Sequence, residues 1–158
     1  MGWVGILASE KGLLAATLPR PSAETARREL GEGAEQAALS PHRLADLSRR
    51  LKSYFNGEKV EFPDKLDLSM STPFQGAVWQ QTRLIPYGET RSYQWVAERI
   101  KKPKAARAVG QALGKNLFLI IVPCHRVVAS GGGLGGFGGG LDVKRRLLKM
   151  EGRPYLSP

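Results

Sequence analysis

The chain has 158 residues, 42% of them hydrophobic, enough for a packed core and against wholesale disorder. Its apolar runs are far shorter than the ~18 residues of a membrane span, and its first residues lack the basic and apolar regions of a secretory signal. A single cysteine, Cys124, excludes a disulfide framework and a multi-cysteine zinc site, and fits a reducing, cytosolic compartment. Lys and Arg total 24 against 14 Asp and Glu. Residues 1–72 are neutral, so the whole net charge of +10 sits in residues 73–158. A one-sided basic half points to a polyanion, nucleic acid before membrane.

In chain order, Trp3–Ser9 and Leu13–Leu18 are apolar runs joined by Glu10-Lys11-Gly12, which predicts a β-hairpin. Ser22–Leu30 predicts a short helix capped by Ser22. Ser40-Pro41 offers a cap and a first-turn proline for a second helix, with Leu44, Leu47, Leu51 and Tyr54 at helical spacing. Asp46, Asp64 and Asp67 read as surface carboxylates, and His42 as structural or solvated. Residues 56–72 have no helical period and read as a linker or edge strand.

Thr72-Pro73-Phe74-Gln75 carries a cap, a proline at the first helical position and a glutamine three residues after the cap. Phe74, Ala77, Val78, Gln81, Thr82 and Ile85 then fall on one face. Ser92 caps a further helix with Tyr93, Val96, Ala97 and Ile100 inward. Pro103 opens another, with Ala106, Val109 and Leu113 inward. Two short helices joined through Lys101-Lys102 read as a helix-turn-helix. Lys104, Arg107, Gln111 and Lys115 would then face DNA, with the small residues Ala105, Ala108, Gly110 and Ala112 allowing a close approach. The order of elements predicts an α+β/α fold. A small N-terminal α/β domain, an antiparallel sheet plus helices and a linker, occupies residues 1–70. A mainly helical, winged-helix-like C-terminal domain occupies residues 71–158.

Leu117–Val122 reads as a buried strand that ends at Pro123-Cys124-His125-Arg126. A cysteine beside a histidine and an arginine is placed to ionise. Moving its pKa from ~8.5 to near 6 requires ~3 kcal/mol of differential stabilisation. Residues 131–140 hold eight glycines. They satisfy the spaced-glycine dinucleotide pattern, but no strand with an acidic residue follows, and no Gly-Lys-Ser/Thr is present. A loop lining a flat base, with Phe137 stacking, fits better. Asp142 would cap the last helix, Val143–Glu151, before Gly152-Arg153-Pro154.

The run Ile120-Ile121-Val122-Pro123-Cys124-His125-Arg126-Val127-Val128, with the glycine-rich loop after it, resembles the active-site signature of O6-alkylguanine-DNA alkyltransferases. Ile85-Pro86-Tyr87-Gly88-Glu89-Thr90-Arg91-Ser92-Tyr93 and Ala106-Arg107-Ala108-Val109-Gly110 resemble that family in the same order. The resemblance covers about residues 73–152. It implies direct reversal of damage: a guanine flipped from duplex DNA gives its O6-alkyl group irreversibly to a cysteine, once per molecule.

By resemblance, Cys124 is the nucleophile, His125 takes the thiol proton through a water, Glu151 orients His125, Tyr93 donates to the leaving guanine, and Asn116 braces the cysteine turn. Arg107 fills the gap left by the flipped base. Lys104, Gln111, Lys115, Ala106, Gly110 and Ser92 join it at the DNA. Val127, Phe137, Gly138, Lys144 and Arg126 surround the base. The implied partner is double-stranded DNA with O6-alkylguanine, and O4-alkylthymine is a second candidate. The protein is expected to be a monomer with no cofactor, no metal and no membrane, cytoplasmic and nucleoid-associated, or nuclear in a eukaryote. Leu117 and Leu119 stand where the family usually has proline, Gly138 where some members have serine, and Phe137 where tyrosine is frequent. The alternatives are a non-catalytic module that recognises alkylated DNA and, more remotely, a thiol hydrolase.

Overall fold

A computed structural model describes residues 2–153, which form two compact units. The first comprises residues up to Asp67 together with Leu117–Ile121. The second comprises Leu68–Asn116 and Val122 onward. The sequence pattern divides the chain into residues 1–70 and 71–158; residues 117–121 cluster with the first unit. Pro154, expected beyond the last helix, lies outside the described residues.

In the first unit, β1 (Ile6–Ser9) and β2 (Gly12–Ala16) form the antiparallel hairpin, with a register shift between Leu7 and Ala8. Gly12, at φ 146°, is required at the turn: a Cβ there would sit 2.5 Å from the Lys65 carbonyl oxygen. β2 also bonds outward. Leu13 N–H donates to Lys65 O, and Asp67 N–H to Leu13 O. Ala16 N–H donates to Leu117 O, and Leu119 N–H to Ala16 O. Residues 65–67 therefore supply the edge, as a single bridge at Leu66 rather than a strand. The apolar run 117–122 forms bridges and a turn, with Ile120 at φ 73°. A short apolar run signals burial, and Phe118, Ile120 and Ile121 are buried, but burial alone does not choose a strand.

α1 (Ala23–Glu29) starts at Ser22, whose hydroxyl accepts from Thr25 N–H. α2 (Glu32–Gln36) is an additional short helix. α3 (Ala45–Phe55) buries Leu47, Leu51 and Tyr54 at helical spacing. It begins after a turn at residues 41–44, so Ser40-Pro41 is not its cap. Asp46, exposed as expected, and Asp64, which is half-buried, both pair with Arg50. Asp67 is buried and accepts from Ser9 Oγ, a departure from the surface role expected for it.

In the second unit, α4 (Pro73–Thr82) starts with a complete capping box between Thr72 and Gln75. Its buried face is Gly76, Val78, Trp79 and Thr82, while Ala77 is exposed. The expected stripe was out of phase because it left out Trp79, whose Nε1 donates to Ala112 O of another helix. β3 (Arg91–Ser92) leads into α5 (Tyr93–Arg99), capped by Ser92 Oγ. α6 (Ala106–Gly114) follows residues 100–105. It packs on α4 and α5 through Val109, Ala112 and Leu113. Pro103 does not open α6; it lies in the preceding turn, where Lys101 takes a left-handed φ of 63°. Ala112 is buried, so it belongs to the core and not to an open helix face. A 3₁₀ turn at Cys124–Arg126 leads into β4 (Val127–Val128), which pairs parallel with β3. α7 (Leu141–Met150) has Gly140, not Asp142, at its N-cap. The described residues thus hold two small sheets and seven α-helices. None of these helices is long and apolar enough to cross a membrane.

Candidate active site

Cys124 starts the 3₁₀ turn immediately after Val122-Pro123, and its own N–H is tied to Val122 O at 2.8 Å. Asn116, two residues past α6, follows its C-cap Lys115 and reaches the turn. Its Nδ2 donates to Val122 O at 3.0 Å and to Cys124 Sγ at 3.3 Å. The thiol is only 6% exposed but borders a cavity of about 710 Å³. Tyr93, Arg107, Gly110, Gln111, Phe137 and Gly138 line the same cavity, as does Ala106. The sequence pattern did not single out Gln94, Leu113, Gly114, Ala129 or Ser130 as further wall residues, whereas Gly136 belongs to the glycine-rich loop read as lining a base.

Burial pushes the Cys124 thiol up. The Asn116 hydrogen bond and the Lys144 charge oppose it without overturning it. The expectation of a resting thiolate promoted by His125 and Arg126 is therefore corrected. Both neighbours turn to a different partner. Arg126 Nε and Nη2 donate to the two oxygens of Glu151 at 2.9 and 2.8 Å, Nη1 donates to Ile85 O, and the guanidinium covers the Tyr87 ring. His125 Nε2 lies 2.9 Å from Glu151 Oε1. Burial lowers the His125 pKa from 6.5, so the ring is neutral at neutral pH, with Glu151 and the nearby cations modifying that main effect. Burial would raise the Glu151 carboxyl, but the hydrogen bonds from His125 and Arg126 outweigh it and hold the group far below the carboxylate range. A neutral imidazole that donates Nε2–H to a carboxylate keeps Nδ1 as its basic nitrogen.

Tyr93, the first residue of α5, has its hydroxyl on the glycine-rich segment. It accepts from Gly136 N–H at 3.2 Å and donates to Gly136 O at 3.4 Å. Burial raises its pKa, so it remains a protonated donor. Arg107 and Gln111 are exposed on α6 and border the cavity. Lys104 and Lys115 are exposed near the two ends of α6, outside the lining. Ser92 is committed as a helix cap.

Three residues expected around the base, Arg126, Val127 and Lys144, are not in the cavity lining. Arg126 is buried in its ion pair. Val127 is buried, with its carbonyl accepting from Lys144 Nζ. Lys144 is fully buried behind the wall and not at its surface. Its position was readable: it precedes Leu147 and Leu148 by three and four residues, on the buried face of α7. Among the described residues, no group of three or more His, Cys, Asp or Glu side chains could hold a metal ion.

Residues 73–153 match the model of the DNA-binding domain of 6-O-methylguanine DNA methyltransferases. A methylated-DNA–protein-cysteine methyltransferase of Mycolicibacterium paratuberculosis is 52% identical over 114 residues, 72% of this chain and 68% of that one. A protein of the same name from Methanosarcina acetivorans is 50% identical over 107 residues, 68% of each chain. An OGT of Mycobacterium tuberculosis crystallised in complex with DNA shares the fold with a TM-score of 0.71 and 36% identity. That match covers 94% of this chain and 92% of that one. The O6-methylguanine methyltransferase of the same organism gives 0.71 and 38%, covering 98% and 97%. By both sequence and fold, the chain belongs to the methylated-DNA–protein-cysteine methyltransferase family.

Proposed function

We propose that this protein reverses O6-alkylguanine in duplex DNA by moving the alkyl group onto Cys124, and that it does so as a monomer, with the α5-turn-α6 segment acting as the helix-turn-helix. The observation that carries this reading is a buried, braced thiol on the wall of a cavity that also holds Tyr93 and Arg107. Basic side chains of α6, Arg107 with Lys104 and Lys115, supply charge for the phosphates. Arg107 occupies the place vacated by the base as it enters the cavity.

The chemistry follows from the resting protonation states. The thiol starts protonated. His125, oriented by Glu151, draws its proton through a water at Nδ1 as sulfur approaches the alkyl carbon. The S–C bond forms as the C–O6 bond breaks, and the electron pair goes to guanine. Tyr93 donates its O–H to the guanine ring, which offsets the developing negative charge, and the base leaves once a proton returns to it. Asn116 keeps Sγ on the cavity side of the turn. No step regenerates the thiol, so each molecule reacts once.

The test is intact mass after incubation with an oligonucleotide carrying O6-methylguanine. One gain of about 14 Da, saturating at one equivalent and mapped to Cys124, is expected. Continued turnover would indicate a hydrolase. DNA binding with no mass gain would indicate a recognition module. Replacing O6-methylguanine with O4-methylthymine in the same assay defines the second substrate.

A further inference from the structure

Lys144 is a buried cation that the reaction above does not use. Its Nζ donates to three backbone carbonyls: Val127 O at 2.7 Å, Leu134 O, and Gly136 O at 3.0 Å. An ammonium has three donors, so its hydrogen-bonding capacity is filled entirely by main chain. Two of the three carbonyls belong to residues 129–140, which form neither helix nor strand. That segment is mostly glycine and loses more freedom on ordering than any other composition. Local turns tie its two ends, at Ala129–Gly133 and Phe137–Gly140. The middle, Leu134–Gly136, is held between Lys144 and Tyr93. Gly135 is at φ 73°, and a Cβ there would lie 2.4 Å from the Tyr93 hydroxyl. The Lys144 ammonium lies 5.8 Å from the centroid of the same ring. Gly136, Phe137 and Gly138, just beyond, line the cavity.

Gly136 is thus held twice, by Tyr93 at both its N–H and its C=O, and by Lys144 at its C=O. If Tyr93 turns its O–H to a bound base, as the proposed function requires, its bond to Gly136 O is released, while Lys144 still holds that carbonyl. We infer that Lys144 is a positioning residue that keeps the Leu134–Gly138 wall in place while Tyr93 transfers its hydrogen bond to the substrate. It acts on capture of the base rather than on alkyl transfer. This inference rests on the proposed reaction.

The test is single-turnover kinetics with free O6-benzylguanine on wild type, Lys144→Met and Gly135→Ala, with amide hydrogen exchange on each protein. Wild type that takes no alkyl group would defeat the proposed function itself. Given transfer in wild type, Lys144→Met is expected still to end at one equivalent. Its half-saturating concentration should rise about tenfold or more, with a limiting rate within about twofold. Exchange should rise over Leu134–Gly138 but not over Leu147–Met150. Gly135→Ala, which keeps the ammonium but pushes the same wall off Tyr93, should also raise the half-saturating concentration. A fall in limiting rate at unchanged half-saturation would overturn the inference, because the charge would then be serving the thiol. Unchanged exchange over the wall would also overturn it. If Lys144→Met loses protection throughout, Lys144→Gln, whose amide retains two donors, decides: a raised half-saturation at a kept limiting rate supports the inference, and an unchanged half-saturation overturns it.

Discussion

The two ends of α7 carry buried charges of opposite sign, and each is on the unfavourable side of the helix dipole. Lys144 lies at the first-turn end, where a cation is disfavoured, and Glu151 is the C-cap, where an anion is disfavoured. The chain compensates them differently. Glu151 receives a two-pronged guanidinium and an imidazole. Lys144 receives carbonyl dipoles and an aromatic face, and no carboxylate among the described residues. Burial accordingly lowers the Lys144 pKa to about 8, whereas Glu151 stays ionised against its burial. A charge set against the dipole contributes little to holding the helix, so what holds each in place is its partners outside α7.

The sharpest way to break the comparison is Glu151→Ala. It strands Arg126 without its counter-charge and frees His125 to reorient. A loss of about 3–5 kcal/mol in urea unfolding is expected, together with loss of alkyl transfer. Unchanged stability would mean that the pair is not compensating its own burial.

Acid tests the same end of α7. The folded His125 pKa lies below its unfolded 6.5, so the unfolded chain binds more protons and stability falls as pH drops from about 6.5. Glu151 adds a loss that begins near its unfolded 4.5 and continues toward its depressed folded value. Unfolding free energies from pH 7 to 4 should show both stages. His125→Gln should lack the first.

Alkali tests the other end. Charged Lys144 is disfavoured in the folded state. Its burden is therefore complete below pH 8 and relieved between 8 and the unfolded 10.5. Relative to Lys144→Met, wild type should gain on the order of 3 kcal/mol across that window. A flat difference between the two proteins would show that the amine keeps its ordinary proton affinity.

The smallest effect on the folded protein is expected from Arg107→Ala, a charge outside both ends of α7. It should leave stability and reaction with free O6-benzylguanine nearly unchanged while slowing repair in duplex DNA, because its proposed role is to support base entry. Equal losses on both substrates would contradict that role.

Much of the site could be read from the chain, because it is local. Cys124, His125 and Arg126 follow one another, and the Thr72 capping box and the Ser92 cap are short-range patterns realised as read. What could not be read is direction across the fold. Adjacent in sequence, Arg126 was expected to favour the thiolate, yet its guanidinium reaches Glu151, 25 residues away. The face of α4 was misphased because Trp79 answers to a carbonyl on α6. Residues 117–122 looked like a strand because apolar character reports burial, while the turn there depends on the left-handed backbone at Ile120. Lys144 was placed beside the pocket by family resemblance alone, although its spacing to Leu147 and Leu148 already put it on the buried face of α7.

The membership of residues 117–121 in the first unit bears on how the protein is made. Phe118, Ile120 and Ile121 are part of that unit's core, and the Ala16 ladder uses Leu117 and Leu119. A ribosome that has released the first 70 residues has therefore not yet delivered all the parts of the N-terminal unit. That unit must wait for some fifty residues of the second, including the whole α4–α6 cluster, before its core can close. Excising residues 1–70 as a separate piece should give a loosely packed species, whereas a split that carries residues 117–121 along restores the missing core.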